Sequence, residues 1–370
     1  GLRGMTSNPT IFEHAIATSN DYDEALGNSD TALLSDRAML EMLTIQDVQQ
    51  AADVLYPIYR SSDGLDGFVS IEVSPELARN TDGSLAEARR LWKNVARPNV
   101  MIKIPGTREG WPAIEQCLRE GININITLLF SVTNYEAVAE AYLRALEARL
   151  EDGQSIDHVA SVASLFVSRV DTEVDKRLEK LGGELTTYRG RVAIANARLV
   201  YASFLKIISG SRWKALEAHG ARLQRPLWAS VGTKNPSYSD VLYVQSLIGP
   251  HTITTVPPDT LNLFEDHGVV ELALPGDVRD AQHIMTAIGA AGIDFADINR
   301  TLEDEGIAKF IGSLNNVLRV IDEKRIALRA AQPDPPSRDI VDESSEASFP
   351  ASDPPSWGPL RIGTPDESVV

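Results

Sequence analysis

The chain has 370 residues, of which 43% are hydrophobic, and a formal net charge of −17. This size and composition predict a globular protein with a sizeable core, in one large domain or two ordinary ones. The acidic balance excludes general binding to nucleic acid or to anionic membranes, because both need a basic surface. The sequence contains no run of 18 apolar residues, so no membrane span is predicted.

Short apolar runs bounded by turn signals alternate with longer stretches of helical period as far as about residue 325. The runs predict seven strands, at residues 2–7, 67–74, 99–105, 123–130, 158–167, 226–232 and 252–257. Helical stretches lie between them, among them 35–60, 131–151 and 188–208. Strands that are apolar on both faces and are each followed by a helix predict a parallel α/β sheet. Because no Gly-rich G-x-G-x-x-G turn follows a strand, a (β/α)8 TIM-type barrel is favoured over a dinucleotide-binding sheet.

The number of predicted strands is one short of a complete barrel, and the composition changes near residue 331. A closed barrel of this type needs eight strands, whereas the pattern supplies seven. We therefore expect residues 1–330 to form a (β/α)8 barrel that is truncated at the N-terminus and lacks its first strand. Residues 331–370 hold eight of the twenty prolines, eight acidic residues and two basic ones, which predicts a disordered tail.

One strand has a lysine at its centre. In "VMIKIPGTREG", residues 100–110, Lys103 lies inside an apolar run that Pro105 and Gly106 end. A buried ammonium group must reach solvent, find a carboxylate or lose its proton, and only the last outcome produces a nucleophile.

The other predicted strands also end in polar residues. The carboxyl ends of the strands in such a barrel share one mouth, so these side chains are candidates for one site. The candidates, besides Lys103, are Thr6, Asn8, Glu72, Asn125, Thr127, Ser164, Arg169, Ser230 and Lys234. A lysine, a carboxylate, amides, hydroxyls and two cations together predict Schiff-base chemistry on a phosphorylated sugar.

The chemistry assigns roles to these candidates. A neutral lysine amine attacks a ketone to form an iminium ion, which accepts the electrons of the breaking carbon–carbon bond. The attack requires the neutral amine, which burial in the barrel is expected to favour. Glu72 is the predicted proton carrier, acting through a water held with Thr127, and Asn8 and Asn125 are predicted to hold substrate hydroxyls.

Structural roles would account for the same residues. Lys103 and Glu72 could form a plain buried ion pair, and Asn8 could cap the helix after Pro9. Asn125 and Thr127 could belong to a satisfied core network, and Arg169 could pair with the acids of its own helix. Convergence of all these residues at matching strand ends favours the catalytic interpretation.

Neither a metal nor a nucleotide cofactor is predicted. The six histidines lack metal-ligand spacing, and "VGTKNPS", residues 231–237, lacks the first glycine and the Ser/Thr of a P-loop. Its "TKNPS" part instead offers backbone N–H groups and Lys234 to a phosphate at a helix start. The single cysteine, Cys117, cannot form a disulfide within the chain, which predicts a reducing compartment and hence the cytoplasm.

Several of these motifs, in strand order, resemble the transaldolase family. They are "GMTSNPTIF", "SIEVSP", "MIKIPGT", "NINITLLFS", "ASLFVSRVD" and "LWASVGTKNPSYSD". The resemblance implies a cofactor-free (β/α)8 enzyme of the pentose phosphate pathway that moves a dihydroxyacetone unit between phosphosugars. By motif, Lys103 would form the Schiff base, with Glu72 and Thr127 in the acid/base contact. Asn8, Asn125 and Ser164 would bind the dihydroxyacetone part, and Arg169 and Ser230 the phosphate.

The chain departs from the family pattern at two points. Where the better-known branch has an arginine two residues after the serine of its seventh strand, this chain has Gly232, so the second phosphate cation is assigned to Lys234. The family also has an aspartate, at the end of its first strand, that takes the proton from the C4 hydroxyl. That strand is the one expected to be missing.

Two rival functions remain at this point. A fructose 6-phosphate aldolase would use the same barrel, but such members have glutamine in place of Glu72 and tyrosine in place of Phe166. The other rival is an inactive truncated barrel with a binding role. The sequence does not determine the oligomeric state.

Overall fold

A computed structural model describes residues 1–31 and 33–331 of the chain. Residues 332–370, which make up nearly all of the predicted tail, lie outside the described residues. The architecture is a seven-stranded, all-parallel sheet that curls as part of a barrel, with helices between successive strands.

All seven predicted strands are confirmed, and they pair in sequence order. They are β1 (Gly4–Thr6), β2 (Phe68–Glu72), β3 (Val100–Pro105), β4 (Ile124–Leu129), β5 (Ser161–Phe166), β6 (Arg225–Ala229) and β7 (Ile253–Thr254). Every residue of β3, β4 and β5 is buried, as expected for parallel strands that helices cover. The carboxyl ends of these strands form the edge where polar side chains gather.

The helices include the three predicted over 35–60, 131–151 and 188–208. In chain order they are α1 (Pro9–Thr18), α2 (Asp23–Gly27), α3 (Asp36–Ser61), α4 (Thr81–Val95), α5 (Gly110–Arg119), α6 (Val132–Glu151), α7 (Ser168–Leu181), α8 (Val192–Ser209), α9 (Ser211–Glu217), α10 (Leu242–Ser246), α11 (Pro258–His267), α12 (Val278–Ala290) and α13 (Phe295–Ala331). Short 3₁₀ turns occur at Ser29–Thr31, Pro75–Leu77 and Gly183–Tyr188.

Several helices begin at a capping side chain, and at α1 and α6 this side chain closely follows a strand. Asn8, Ser131 and Asp277 accept hydrogen bonds from backbone N–H groups in the first turns of α1, α6 and α12. A cap of this kind satisfies a donor that the helix itself leaves free. The strand-to-helix turns at β1 and β4 are therefore determined by local sequence.

The two outer strands are short. Within the described residues β1 pairs only with β2, and β7 pairs only with β6. Met5 in β1 is 44% exposed, although it is a large apolar residue. Both strands thus have one edge without a hydrogen-bonded neighbour strand in this part of the chain.

The long C-terminal helix α13 joins two hydrophobic clusters. Its first half, including Leu302 and Phe310, packs on the core of the sheet. Its second half, including Leu314 and Ile321, packs on a separate cluster formed with α1, α2 and α3. The middle of α13 therefore passes close to the carboxyl ends of the strands.

Helix α8 is long and apolar enough to span a membrane by length and composition, with a mean hydropathy of 1.4. Half of this segment is buried inside the protein, where Val200 and Phe204 belong to the main core. A core helix satisfies the same test, so α8 gives only weak support for a membrane span.

Candidate active site

Lys103, inside β3, and Glu72, the last residue of β2, lie side by side, because the parallel register pairs them directly. Lys103 Nζ donates to Glu72 Oε2 at 3.0 Å and to the backbone oxygen of Ser7 at 3.3 Å. The two side chains are only 6% and 3% exposed. The structure brings together the two residues predicted to carry the chemistry, in a contact that a purely structural ion pair would also make.

Burial and the neighbouring Lys103 shift the pKa of Glu72 in opposite directions. Burial raises the pKa of the Glu72 carboxyl, and this effect outweighs the charge and hydrogen bond of Lys103, which lower it. The second oxygen of the carboxyl, Oε1, is buried and has no hydrogen-bond partner in the part of the chain described. A buried carboxyl with a raised pKa and an oxygen available for bonding is suited to moving protons.

Thr127 lies where β4 departs from regular geometry. The register of β4 against β5 shifts between Ile126 and Leu129, and Leu128 has a φ of 58°. A bulge of this kind re-aims neighbouring side chains, and the left-handed conformation costs a leucine about 1 kcal/mol or more. The Thr127 hydroxyl is buried and has no partner among the described residues. The alternative that Thr127 belongs to a satisfied core network is therefore wrong.

Asn125 does belong to such a network. Its Nδ2 donates to Ser70 Oγ at 3.0 Å, and its Oδ1 accepts from Ser164 Oγ at 2.7 Å. All three side chains are buried. Asn125 and Ser164, both predicted to bind substrate, are thus in direct contact. Sequence analysis missed Ser70, which the two-residue period of β2 places on the same face as Glu72.

The polar residues after β1 have different surroundings. Asn8 Oδ1 accepts from the backbone N–H of Ile11 at 3.0 Å, so Asn8 caps α1, as the structural alternative predicted. Its amide nitrogen makes no hydrogen bond within the described residues, which leaves a donor at the sheet edge. Thr6 Oγ1 is buried and likewise lacks a partner there.

Arg169, the second residue of α7, occupies the opposite side of the site. Its guanidinium carbon lies 5.1 Å from the centre of the Phe166 ring. Within residues 1–31 and 33–331 it makes no ion pair and no hydrogen bond, so the alternative that it pairs with the acids of its own helix is wrong. Burial lowers the pKa of Arg169. The result is a half-buried cation that contacts no carboxylate among the described residues, although the charge of Glu305 acts on it and raises its pKa.

Ser230 and Lys234 follow β6 near the start of α7. Ser230 Oγ is 3.0 Å from Ser168 Oγ, and the Ser230 backbone, with a φ of 55°, accepts from Ser168 N–H at 2.9 Å. Lys234 Nζ lies 3.9 Å from the position that a Cβ on residue 232 would take. Lys234 thus places its charge close to the space that a side chain at Gly232 would enter.

Two tyrosines, one in the loop that carries Lys234 and one in α10 directly after it, bond to acids of helix α7. Tyr238 OH donates to Asp175 Oδ2 at 2.6 Å, and Tyr243 OH donates to Asp171 Oδ2 at 2.9 Å. Asp171 also accepts from the backbone N–H of Ala193 at 2.7 Å, and burial raises its pKa to about 7. These two acids of α7 therefore hold the loop in place.

The expectation that "TKNPS" lies at a helix start is wrong. Residues 230–241 form a loop, and α10 begins only at Leu242. Asn235 Oδ1 accepts from the Ser237 N–H at 2.9 Å across Pro236, which closes a turn in place of a first helical turn. A phosphate at this point would meet Lys234 and loop N–H groups, without the dipole of a helix.

Sequence analysis also missed the contribution of α13. The ring centre of Phe310 lies 5.8 Å from Lys103 Nζ and 6.0 Å from the Arg169 guanidinium carbon, so one ring adjoins both ends of the site. At Gly306, one turn earlier, an added Cβ would lie 2.9 Å from Leu128 and 3.3 Å from Arg169 Nη1. The glycine allows α13 to approach the strands closely. No local pattern indicates which turn of a long amphipathic helix will do so.

No group of three or more His, Cys, Asp or Glu side chains in the described ranges, 1–31 and 33–331, could hold a metal ion. The site is built from a lysine, a carboxyl, amides, hydroxyls and cations.

Comparisons with known proteins place the chain in a family. The model of the family described as Transaldolase/Fructose-6-phosphate aldolase matches residues 1–321. A protein of Acidothermus cellulolyticus named transaldolase is 50% identical over 311 residues, or 84% of each chain. Transaldolases of Thermobifida fusca and Mycobacterium tuberculosis are 47% and 46% identical over 85% of this chain and 86% of their own length. The chain belongs to the transaldolase/fructose-6-phosphate aldolase family.

Proposed function

We propose that this chain is a transaldolase, a transferase that moves a dihydroxyacetone unit between phosphosugars through a lysine Schiff base. The reaction converts sedoheptulose 7-phosphate and glyceraldehyde 3-phosphate into erythrose 4-phosphate and fructose 6-phosphate. The observation that carries the proposal is the buried contact between Lys103 and Glu72, in a chain that is 46–50% identical to proteins named transaldolase.

Lys103 is the nucleophile of this mechanism. Its neutral amine attacks the C2 ketone of the donor, and the carbinolamine loses water to give an iminium ion. The C3–C4 bond then breaks, the aldehyde product leaves, and the electron pair moves into the iminium to form an enamine. The enamine carbon attacks the acceptor aldehyde, and hydrolysis of the new iminium releases the product and the free amine.

Glu72 is the proton carrier in carbinolamine dehydration and iminium hydrolysis. Its Oε2 contacts Lys103 Nζ, and its raised pKa favours a carboxyl that can give up a proton and take it back. Glu72 Oε1 and Thr127 Oγ1 are both buried with no partner in the described part of the chain. They are suited to hold the water that enters and leaves with these steps.

The amides and hydroxyls are proposed to bind the dihydroxyacetone part. The Asn125 amide lies one strand away from Lys103, since the register of β3 and β4 pairs these two residues. Ser164 orients it, because the Ser164 hydroxyl donates to Asn125 Oδ1. Asn8 offers its amide nitrogen from the other side, while its oxygen caps α1.

Arg169, Ser230 and Lys234 are proposed to hold the phosphate. The Arg169 guanidinium is left without a carboxylate partner in the described residues, and stacking on Phe166 holds it in one orientation. The nearness of Lys234 Nζ to Gly232 supports the assignment of Lys234 as the second cation, because it places an ammonium group where the better-known branch has an arginine.

We extend the proposal to the fold. The free edges of β1 and β7 favour a (β/α)8 barrel in which residues 1–330 supply seven strands and a further strand stands between β1 and β7. By the family resemblance that strand would provide the aspartate that takes the proton from the C4 hydroxyl. Activity assays of this chain test the proposal, because full transaldolase turnover without such an aspartate would overturn it. The cytoplasmic location stays a prediction from Cys117.

The function is tested by trapping the Schiff base. Incubation with fructose 6-phosphate and borohydride is expected to label Lys103, which mass spectrometry locates. Lys103→Arg should abolish labelling and turnover, because a guanidinium stays protonated and forms no imine. Lys93→Arg, at an exposed lysine in the last turn of α4, is the matched control and should retain both. Labelling elsewhere in an active preparation would overturn the mechanism.

Product analysis separates transaldolase from simple aldolase. Transfer requires an acceptor aldehyde, so fructose 6-phosphate alone should release almost no free dihydroxyacetone. Addition of erythrose 4-phosphate should start turnover and produce sedoheptulose 7-phosphate. Rapid release of dihydroxyacetone without an acceptor would instead identify a fructose 6-phosphate aldolase, and the presence of Glu72 and Phe166 argues against that outcome.

A further inference from the structure

The middle turn of α13 lies against both ends of the proposed site. Phe310 adjoins Lys103 and Arg169, and Gly306 leaves the space that Arg169 Nη1 and Leu128 occupy. Positions 306, 309 and 310 are three and four residues apart, so they share one face of the helix. Lys309 therefore projects from the same face that closes over Arg169.

The turn of α13 that leads to Lys309 packs on Arg169, because Arg169 Nη1 lies only 3.3 Å from the position that a Cβ at Gly306 would take. Lys309 is an exposed residue, yet partial burial of its ammonium group lowers its pKa, and the charges of Arg169 and Lys234 lower it further. Three cations from three elements thus converge, from α7, from the loop after β6 and from α13. Glu13 acts on Lys309 in the opposite direction, as the last and smallest of these influences.

This clustering opposes the general charge of the molecule. The chain has 52 acidic residues and 35 Lys and Arg residues, so acids were abundant for pairing. Yet Arg169, Lys234 and Lys309 form no ion pair and no hydrogen bond within the residues described. Like charges held together cost free energy in the unliganded protein, and a bound anion removes that cost.

We propose that Lys309 is a substrate-binding residue, the third cation for the phosphate group of the sugar. The inference rests on the proposed function, since it concerns the same site. It adds a contact that the motif resemblance did not include. In this arrangement α13 serves recognition directly: its Phe310 covers the reacting end while its neighbour Lys309 binds the phosphate.

The affinity of the chain for inorganic phosphate tests the inference in a measurement that does not require catalytic turnover. Binding of inorganic phosphate to the chain is measured by isothermal titration calorimetry at constant low ionic strength, for wild type, Lys309→Gln and Arg319→Gln. Arg319 lies on the same helix and pairs with Glu323 at the surface, so its loss is the matched control. Lys309→Gln should weaken phosphate binding about tenfold, the usual effect of losing one charge-assisted contact. Arg319→Gln should change it less than twofold, about the effect expected of an exposed pair.

Kinetics provide the second measurement. Lys309→Gln should raise KM for fructose 6-phosphate by about the same factor with kcat nearly unchanged, and Lys309→Arg should restore most of the affinity. An unchanged phosphate affinity in Lys309→Gln would overturn the inference and leave the proposed function standing if Lys103 is still labelled. Weakened phosphate binding without any Lys103 labelling would sustain the cation site and overturn the Schiff-base function.

Discussion

The two ends of the proposed site are built in different ways. At the reacting end, Lys103 and Glu72 are almost fully buried, contact each other, and are placed by the register of two central strands. At the phosphate end, Arg169 is half-buried, Lys234 and Lys309 are exposed, and none of the three has an ion-pair partner in the described residues. These cations come from a helix start, a loop and a distant helix.

The difference follows from what each end must do. Proton transfer needs a group whose pKa departs from that in water, and burial between strands provides that departure for the Glu72 carboxyl. Phosphate capture needs positive charge that solvent can reach, because the anion arrives from solution. The reacting end should therefore respond to substitution mainly in kcat, and the phosphate end mainly in KM.

The largest effect is expected at Glu72. Glu72→Gln keeps the shape of the side chain but removes the transferable proton, so kcat should fall about 10²- to 10⁴-fold with little change in KM. Glu76→Gln, at a surface acid that pairs with Arg37, should have no such effect. Measurement of kcat with fructose 6-phosphate as donor and erythrose 4-phosphate as acceptor tests this expectation. An unchanged kcat in Glu72→Gln would show that another group moves the protons.

A smaller effect is expected at Arg169. Arg169→Ala should raise KM for phosphorylated sugars about tenfold or more, and much less for the unphosphorylated analogues, because a charge-assisted contact is lost. Arg177→Ala, on the same helix, removes partly buried ion pairs with Glu173 and Asp297 and serves as the control. Equal losses on both kinds of substrate would assign Arg169 a structural role.

The smallest effect on activity is expected behind the phosphate end, at Asp171. Its pKa is raised from 3.8 to about 7, so the folded state holds this proton more tightly than the unfolded chain. The contribution of protonated Asp171 to the free energy of unfolding is therefore complete below about pH 4 and is lost as the pH rises towards 7.

The side chain in the Asp171→Asn variant cannot ionise. The free energy of unfolding of this variant, relative to that of wild type, should therefore increase between pH 4 and pH 8. Each pKa unit corresponds to about 1.4 kcal/mol, and we expect a relative shift of about 2 to 4 kcal/mol. Urea unfolding at several pH values measures it. Asp152→Asn, at an exposed acid paired with Arg119, should show no such trend. A pH-independent difference for Asp171→Asn would mean that Asp171 does not titrate in this range.

Local sequence was sufficient for most of the sheet. Apolar runs, turn residues and capping side chains act within a few residues, and all seven strands lie where these signals place them. The same reasoning brought Lys103 and Glu72 together, because carboxyl ends of parallel strands share one edge. It left open whether Asn125 bonds to substrate or to other side chains, since alternation along a strand gives a face but no partner.

What the sequence determined by itself was therefore the parallel sheet, its polar edge and the lysine buried in its centre. The tertiary structure decided the rest. It turned the acids of α7 towards Tyr238 and Tyr243 and away from Arg169, replaced an expected helix start by a loop, and brought Lys309 and Phe310 over the site. These contacts join residues more than 60 positions apart, and their geometry depends on how whole helices pack, which no local pattern specifies.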